Sequence, residues 1–223
     1  MELSPLLIAL KIAVVSTLIV FVLGLLAAGF VSGLRRGKTI ADAILSLPLV
    51  LPPTVAGYFI LILFGRNGIL GDILDKLDIR VVFTWQGAAL ATAVVSFPIM
   101  YRGARGAIEQ VDRNIIYAAR TLGMNEFKVF CKVILPEAGP GIAAAAVLSF
   151  ARALGEFGAT IMVAGNIPGK TRTMSTSVYT AMQSGNRELA YKWVLVILAY
   201  SFVILLIMDY SLTGGNANDS PPG

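Results

Sequence analysis

Apolar residues in this chain come in long unbroken blocks rather than in the alternating or one-faced patterns of a soluble fold. Five windows read as spanning helices: Leu6–Val31, Ile40–Phe64, Gln86–Met100, Gly141–Ala164 and Ala190–Leu212. A helix that crosses the hydrocarbon core needs about 20 mostly apolar residues. The third window is short and borrows Phe83–Trp85, giving spans at about 6–31, 40–64, 83–100, 141–164 and 190–212. Gly57, Thr92, Ser96 and Ser149 inside these windows mark places where helices approach closely. The pattern predicts an all-α polytopic membrane protein with a transmembrane domain over 1–213. The polar, turn-rich tail 214–223 is expected to be disordered.

Composition supports this reading. Of 223 residues 57% are hydrophobic and 14% charged, with mean hydropathy +0.78. A soluble domain carries about 25% charged residues. The formal charge of +5 does not point to nucleic acid, because apolar blocks separate the basic residues. Topology signals and anionic lipid head groups account for them. Glu2 in place of a basic leader, and an apolar run longer than a signal peptide needs, mark the first block as an uncleaved span.

Basic residues orient the spans. The first and third connections hold Arg35, Arg36, Lys38, Arg102, Arg105, Arg113, Arg120, Lys128 and Lys132, against six in the second and fourth. The cluster Arg35-Arg36-Gly37-Lys38 abuts the first span. This bias places those two connections in the cytoplasm, the N-terminus outside and the C-terminus inside.

The chain has no histidine, which removes His-based metal sites and Ser-His-Asp triads. Its one cysteine, Cys131, forms no intrachain disulfide or Cys cluster and reads as a small buried apolar side chain. No catalytic constellation is evident, and G-x-x-x-x-G-K-[ST] does not occur, so no ATP hydrolysis is expected here.

The connection 101–140 is too long for a structureless link. It reads as two short helices, Ile115–Leu122 and Glu126–Leu135. Asp112 or Asn114 caps the first, and Asn125 caps the second. Gly123 supplies the left-handed residue between them, and Pro136 ends the second. Pro140 then opens the fourth span.

The run Ala118-Ala119-Arg120-Thr121-Leu122-Gly123, followed by Ile134-Leu135-Pro136, resembles the EAA loop of ABC importer permeases. Tyr117 stands where that motif has Glu, and Val133 where it has Ile. The resemblance implies a homodimeric permease fold whose loop docks on two cytoplasmic ATP-binding-cassette subunits, where ATP and Mg belong. Contacts are expected at Ala118, Ala119, Arg120, Leu122, Gly123, Phe127, Leu135 and Pro136. The alternative is a helical connector lying on the membrane surface.

Two further segments, 46–58 and 152–173, are similar to molybdate permeases and their sulfate relatives. This implies import of molybdate, or of tungstate or sulfate, delivered by an extracytoplasmic binding protein across the plasma membrane. An oxyanion carrier or channel that needs no ATPase is a reading from another class. Pro48, Pro52 and Pro53 must bend or break the second span. Broken helices of this kind either line a cavity, where freed N–H groups and the hydroxyls of Ser46 and Thr54 meet an anion, or serve packing alone. Arg152 and Glu156 share a helix face in the fourth span and can pair. Glu156 would repel an oxyanion, so it is read as gating or packing, or as capping the Gly155–Gly158 bend. With Thr160 these residues are the candidate path or gate. Lys170 and Arg172 either attract an anion, meet the binding protein, or are solvated loop charges.

Overall fold

The computed structural model describes residues 3–34, 36–66, 68–77 and 80–213. Arg35 and the tail 214–223 lie outside the described residues, so the expectations for both stand untouched. All regular structure among the described residues is helical. In order come α1 (Ser4–Gly33), α2 (Lys38–Val50), α3 (Pro53–Phe64), α4 (Gly71–Lys76), α5 (Trp85–Glu109), α6 (Arg113–Thr121), α7 (Glu126–Val129), α8 (Leu135–Glu137), α9 (Gly139–Leu154), α10 (Gly158–Ala164), α11 (Met174–Gln183) and α12 (Arg187–Thr213). A single widened turn, Phe130–Ile134, joins α7 to α8.

The first, third and fifth apolar windows are each one helix. The second and fourth are broken. The segment α2–α3 bends by 105° at Leu51–Pro52, where Pro52 and Pro53 leave no N–H to carry the ladder across. The fourth window divides at Gly155–Phe157 into α9 and α10. α1 and Arg187–Leu206 of α12 are long and apolar enough to cross a membrane unaided. α5 is not, and the reason is its place at the centre: 13 of its 25 residues are buried, against nine of 30 in α1. A helix sheathed by protein does not need lipid-facing Leu and Ile.

Small residues hold the centre together. Ala93, Met100, Tyr101 and Ala104 of α5 pack with Val20, Ala28 and Val31 of α1 and with Ile142 and Ala145 of α9. A Cβ on Gly103 would lie 2.5 Å from the Ala145 Cβ, and one on Gly141 would lie 2.6 Å from the Ala107 Cβ. Lipid offers little hydrophobic drive between helices, so close backbone approach and dispersion supply the cohesion. α3 and α10 form a second cluster against α5 through Ala56, Ile60, Ala91, Val95, Ala159 and Val163. Here Gly57 lets the two half-helices touch, since its Cβ would meet Ala159 Cα and Met162 Cβ at 2.9 Å.

Replacing Gly57 by Leu should therefore force α3 off α10 and destabilise the fold by about 2 kcal/mol. Thermal unfolding of the purified variant in detergent measures this, and an unchanged midpoint would contradict the packing described.

Candidate functional site

Two regions gather the sequence-derived residues. The first is the elbow. Asp112 Oδ1 accepts the Asn114 N–H at 2.8 Å and starts α6. Gly123, at φ +78°, ends the turn that follows, with Gly123 N–H donating to Arg120 O and Met124 N–H to Ala119 O. This pair of bonds is the Schellman closure that glycine favours. Asn125 then caps α7 by accepting the Lys128 N–H at 2.9 Å.

Across the corner Arg120 grips Glu126 with two parallel bonds of 2.9 Å each. That guanidinium holds the Glu126 carboxyl below the usual carboxylate range. Ala119 is buried beneath the corner, whereas Ala118 and Pro136 are exposed and Leu135 is half-buried. Leu122 and Phe127 stand out to solvent, 82% and 75% exposed, with Tyr117 beside them. A soluble surface leaves such side chains uncovered mainly where something else will cover them.

Two expectations for the elbow are corrected. Pro136 does not end the second helix. The widened turn gives Leu135 N–H to Phe130 O, five residues back, which makes room for the proline ring, and the chain runs helically to Glu137 before bending 69° into α9. Cys131 is exposed rather than buried, while Val129 and Phe130 before it turn inward. Val129 is fully buried, and Phe130 fills the notch left by Gly29 of α1, where a Cβ would lie 2.9 Å from its ring.

The second region is where the two broken spans meet. Pro53 and Thr54, at the start of α3, lie against Gly158, at the start of α10: a Cβ on Gly158 would sit 3.1 Å from Pro53 Cβ and 3.2 Å from Thr54 N. Glu156 lies in the break and plays both of the roles its sequence position allowed. Its Oε1 accepts the Ala159 N–H at 2.8 Å, capping α10, while its Oε2 pairs with Arg152 at 2.6 Å. The carboxylate is 2% exposed and the guanidinium 33%, so the positive partner is the accessible one. Pro52 and Thr54 are exposed at the break.

Thr160 is not part of this surface; it is buried, 3.3 Å from Thr92 Oγ1 of α5. Ser46 lies farther back on α2, its buried hydroxyl without a hydrogen-bond partner among the described residues.

Some of the surroundings were missed in the sequence. α11 falls inside what reads as a loop, yet Thr173 and Thr176 form a reciprocal cap that a search for Ser/Thr three residues apart would find. Phe157 packs on Tyr179 of α11 at 5.2 Å. Arg172 is held by Asn166 at 2.9 Å, and Asn166 in turn by Thr180 at 2.6 Å. A second network ties the start of α2 to the end of α5: Lys38 pairs with Glu109 at 2.8 Å, Arg105 with Glu109 and Asp42, and Tyr101 donates to Asp42. The Arg105/Glu109 spacing was its only sequence signal.

The broken spans meet at one end of α9, and the elbow with its uncovered apolar tips lies at the other. The profile described as binding-protein-dependent transport system inner membrane component matches residues 20–213. The chain belongs to that family. Among relatives, the molybdenum transport system permease protein ModB of Escherichia coli (strain K12) is 47% identical over 78% of this chain and 77% of its own length. ModB of Haemophilus influenzae (strain ATCC 51907 / DSM 11121 / KW20 / Rd) is 38% identical over 94% of this chain and 93% of its own. The sulfate transport system permease protein CysT of Escherichia coli (strain K12) is 41% identical over 84% of this chain but 68% of its own.

The family fold is also seen in solved structures. The inward-facing MetNI methionine ABC transporter superposes with TM-score 0.76 at 20% identity, covering 94% of each chain. A bacterial ABC transporter that imports alginate gives 0.77 at 17% identity, covering 95% of this chain and 78% of its own. The fold is therefore that of an ABC importer permease.

Arg152→Met should destabilise the protein by about 2–3 kcal/mol, less than for a fully buried pair because the guanidinium is partly wet. Adding Glu156→Gln, which preserves an oxygen for the Ala159 N–H, should recover most of that loss in a detergent melt. At the elbow, a depressed carboxyl contributes above its unfolded pKa and is lost as pH falls through its folded one. The Arg120–Glu126 bridge should thus persist at neutral pH and open only below the ordinary carboxylate range, with Glu126→Gln showing at pH 7 the elbow mobility that the parent gains in acid. Hydrogen exchange of residues 118–128 reads this directly.

Proposed function

We propose that this chain is the permease subunit of an importer for molybdate, in which two copies enclose the path at a two-fold axis. A binding protein delivers the oxyanion on the outer side, and two ATPase subunits carrying ATP and Mg grip the elbow from the cytoplasm. The N-terminus lies outside and the C-terminus inside. The observation that carries the reading is the elbow itself. Its corner is clamped by Arg120 and Glu126, its apolar tips Leu122 and Phe127 are uncovered, and its inner side is keyed to α1 through Phe130. Such a piece transmits a push without folding up.

Molybdate is favoured as cargo by the relatives named for molybdenum transport, which this chain matches over most of their length, whereas it covers about two thirds of the sulfate permease. The path passes the break between α2 and α3. There the N-terminal end of α3 offers exposed Thr54, and Arg152 screens the Glu156 charge from a dianion. Contacts of this kind hold an anion weakly, which suits release. Tungstate, nearly the same in size and charge, should travel the same path, and the binding protein then sets the choice between them.

Replacing Leu122 and Phe127 together by Asp should leave a folded permease that no longer co-purifies with its ATPase and imports labelled molybdate at least about tenfold more slowly, as expected when apolar anchors at a docking centre are lost. Uptake competed by tungstate but not by sulfate identifies the cargo. Transport by the chain alone in liposomes would instead establish a carrier that needs no ATPase.

A further inference from the structure

One cavity shares no lining residue with the break between α2 and α3. It has a volume of about 430 Å³ and opens between α1, the start of α5 and the loop after α10. Lys11 and Lys170 both line it, with Gln86 and Trp85, and no carboxylate among the described residues does. Among the described residues neither lysine is in an ion pair. Lys11 lies instead over the Trp85 ring, 3.7 Å from its centroid. A cation–π contact stabilises an ammonium but leaves its charge uncompensated, and two ammonium groups lining one cavity make it a favourable place for an anion.

The location distinguishes which anion this is. Lys11 is the eighth residue of α1, about 10 Å along the helix from Ser4 at 1.5 Å per residue. It falls at helical spacing within the stripe Leu7, Val14, Leu18, whose side chains are all exposed. An exposed apolar stripe on a spanning helix faces acyl chains. A lysine within it extends its ammonium toward the head-group layer, where tryptophans such as Trp85 also reside. A phospholipid whose phosphate sits at the level of Lys11 has its tails along Val14 and Leu18, which lie deeper on the same exposed stripe.

We infer that the cavity bounded by Lys11 and Lys170 is a binding site for the phosphate head group of an anionic phospholipid, in the leaflet at the N-terminal end of α1. The lipid bridges α1 to the loop that follows α10, two elements that lie on either side of the α5 start. Lys170 then belongs to the lipid surface rather than to the cargo path.

The test is native mass spectrometry of the full-length permease, titrated separately with phosphatidylglycerol, with inorganic phosphate and with molybdate. The parent should retain phosphatidylglycerol, and Lys11→Gln/Lys170→Gln should bind it about thirtyfold more weakly, two juxtamembrane charges being lost. The charge-conserving Lys11→Arg/Lys170→Arg should bind as the parent does, which separates loss of a site from loss of fold. The parent's melting temperature should rise with added phosphatidylglycerol and that of the Gln variant should not. Equal phosphatidylglycerol affinity in the parent and the Gln variant overturns the inference. So does a Gln variant that keeps the lipid but loses retention of phosphate or molybdate, because the cavity would then serve a free oxyanion.

Discussion

Everything in this fold depends on how a carboxylate is kept inside a lipid-embedded bundle. Glu156 is almost fully enclosed, and an isolated carboxylate there would be prohibitively costly. It is stable because it replaces a missing backbone acceptor at the start of α10 while Arg152, one turn earlier, supplies the opposite charge. The break in the fourth span is therefore built around a side chain, not merely tolerated. The second span breaks by the opposite device, with Pro52 and Pro53 removing donors instead of adding an acceptor. The two discontinuities meet at Gly158, where a Cβ would lie 3.1 Å from Pro53 Cβ and 3.2 Å from Thr54 N, a tight fit that a side chain would press on.

That meeting point is joined to the elbow by packed helices. α9 runs from the end of the elbow to the Glu156 break, and α5 stands against both α9 and α3. The Lys38–Glu109–Arg105–Asp42 network fixes the near end of α2 to α5. On the proposed function, a displacement of the elbow would reach the broken spans through helices packed by alanine and glycine, which leave little free volume.

Much of this was legible in the residues. Apolar block lengths located the spanning segments, prolines marked the second break, and Asp112, Gly123 and Asn125 delimited the elbow. The EAA-type spacing pointed to the permease family. What escaped had physical causes. α5 was legible only as a short window, because its C-terminal half, from Tyr101 to Glu109, is too polar to extend the apolar block and is held by neighbouring helices instead of lipid. Pro136 looks like a helix end unless one knows that the preceding turn has widened to absorb it. Thr160 belongs to the same segment as Glu156, but helix geometry turns it toward α5. The links among Lys38, Asp42, Tyr101 and Glu109 join positions about 60 to 70 apart in the chain, and no local spacing rule reaches that far.

The widened turn has a practical result. It places the protein's single thiol, Cys131, on the outer side of the elbow, with no other cysteine to compete for a maleimide. An unmodified sequence can therefore carry one fluorophore or spin label per copy at the part expected to move. In a two-copy assembly, the separation between paired labels would report the opening and closing of the transporter as a single distance.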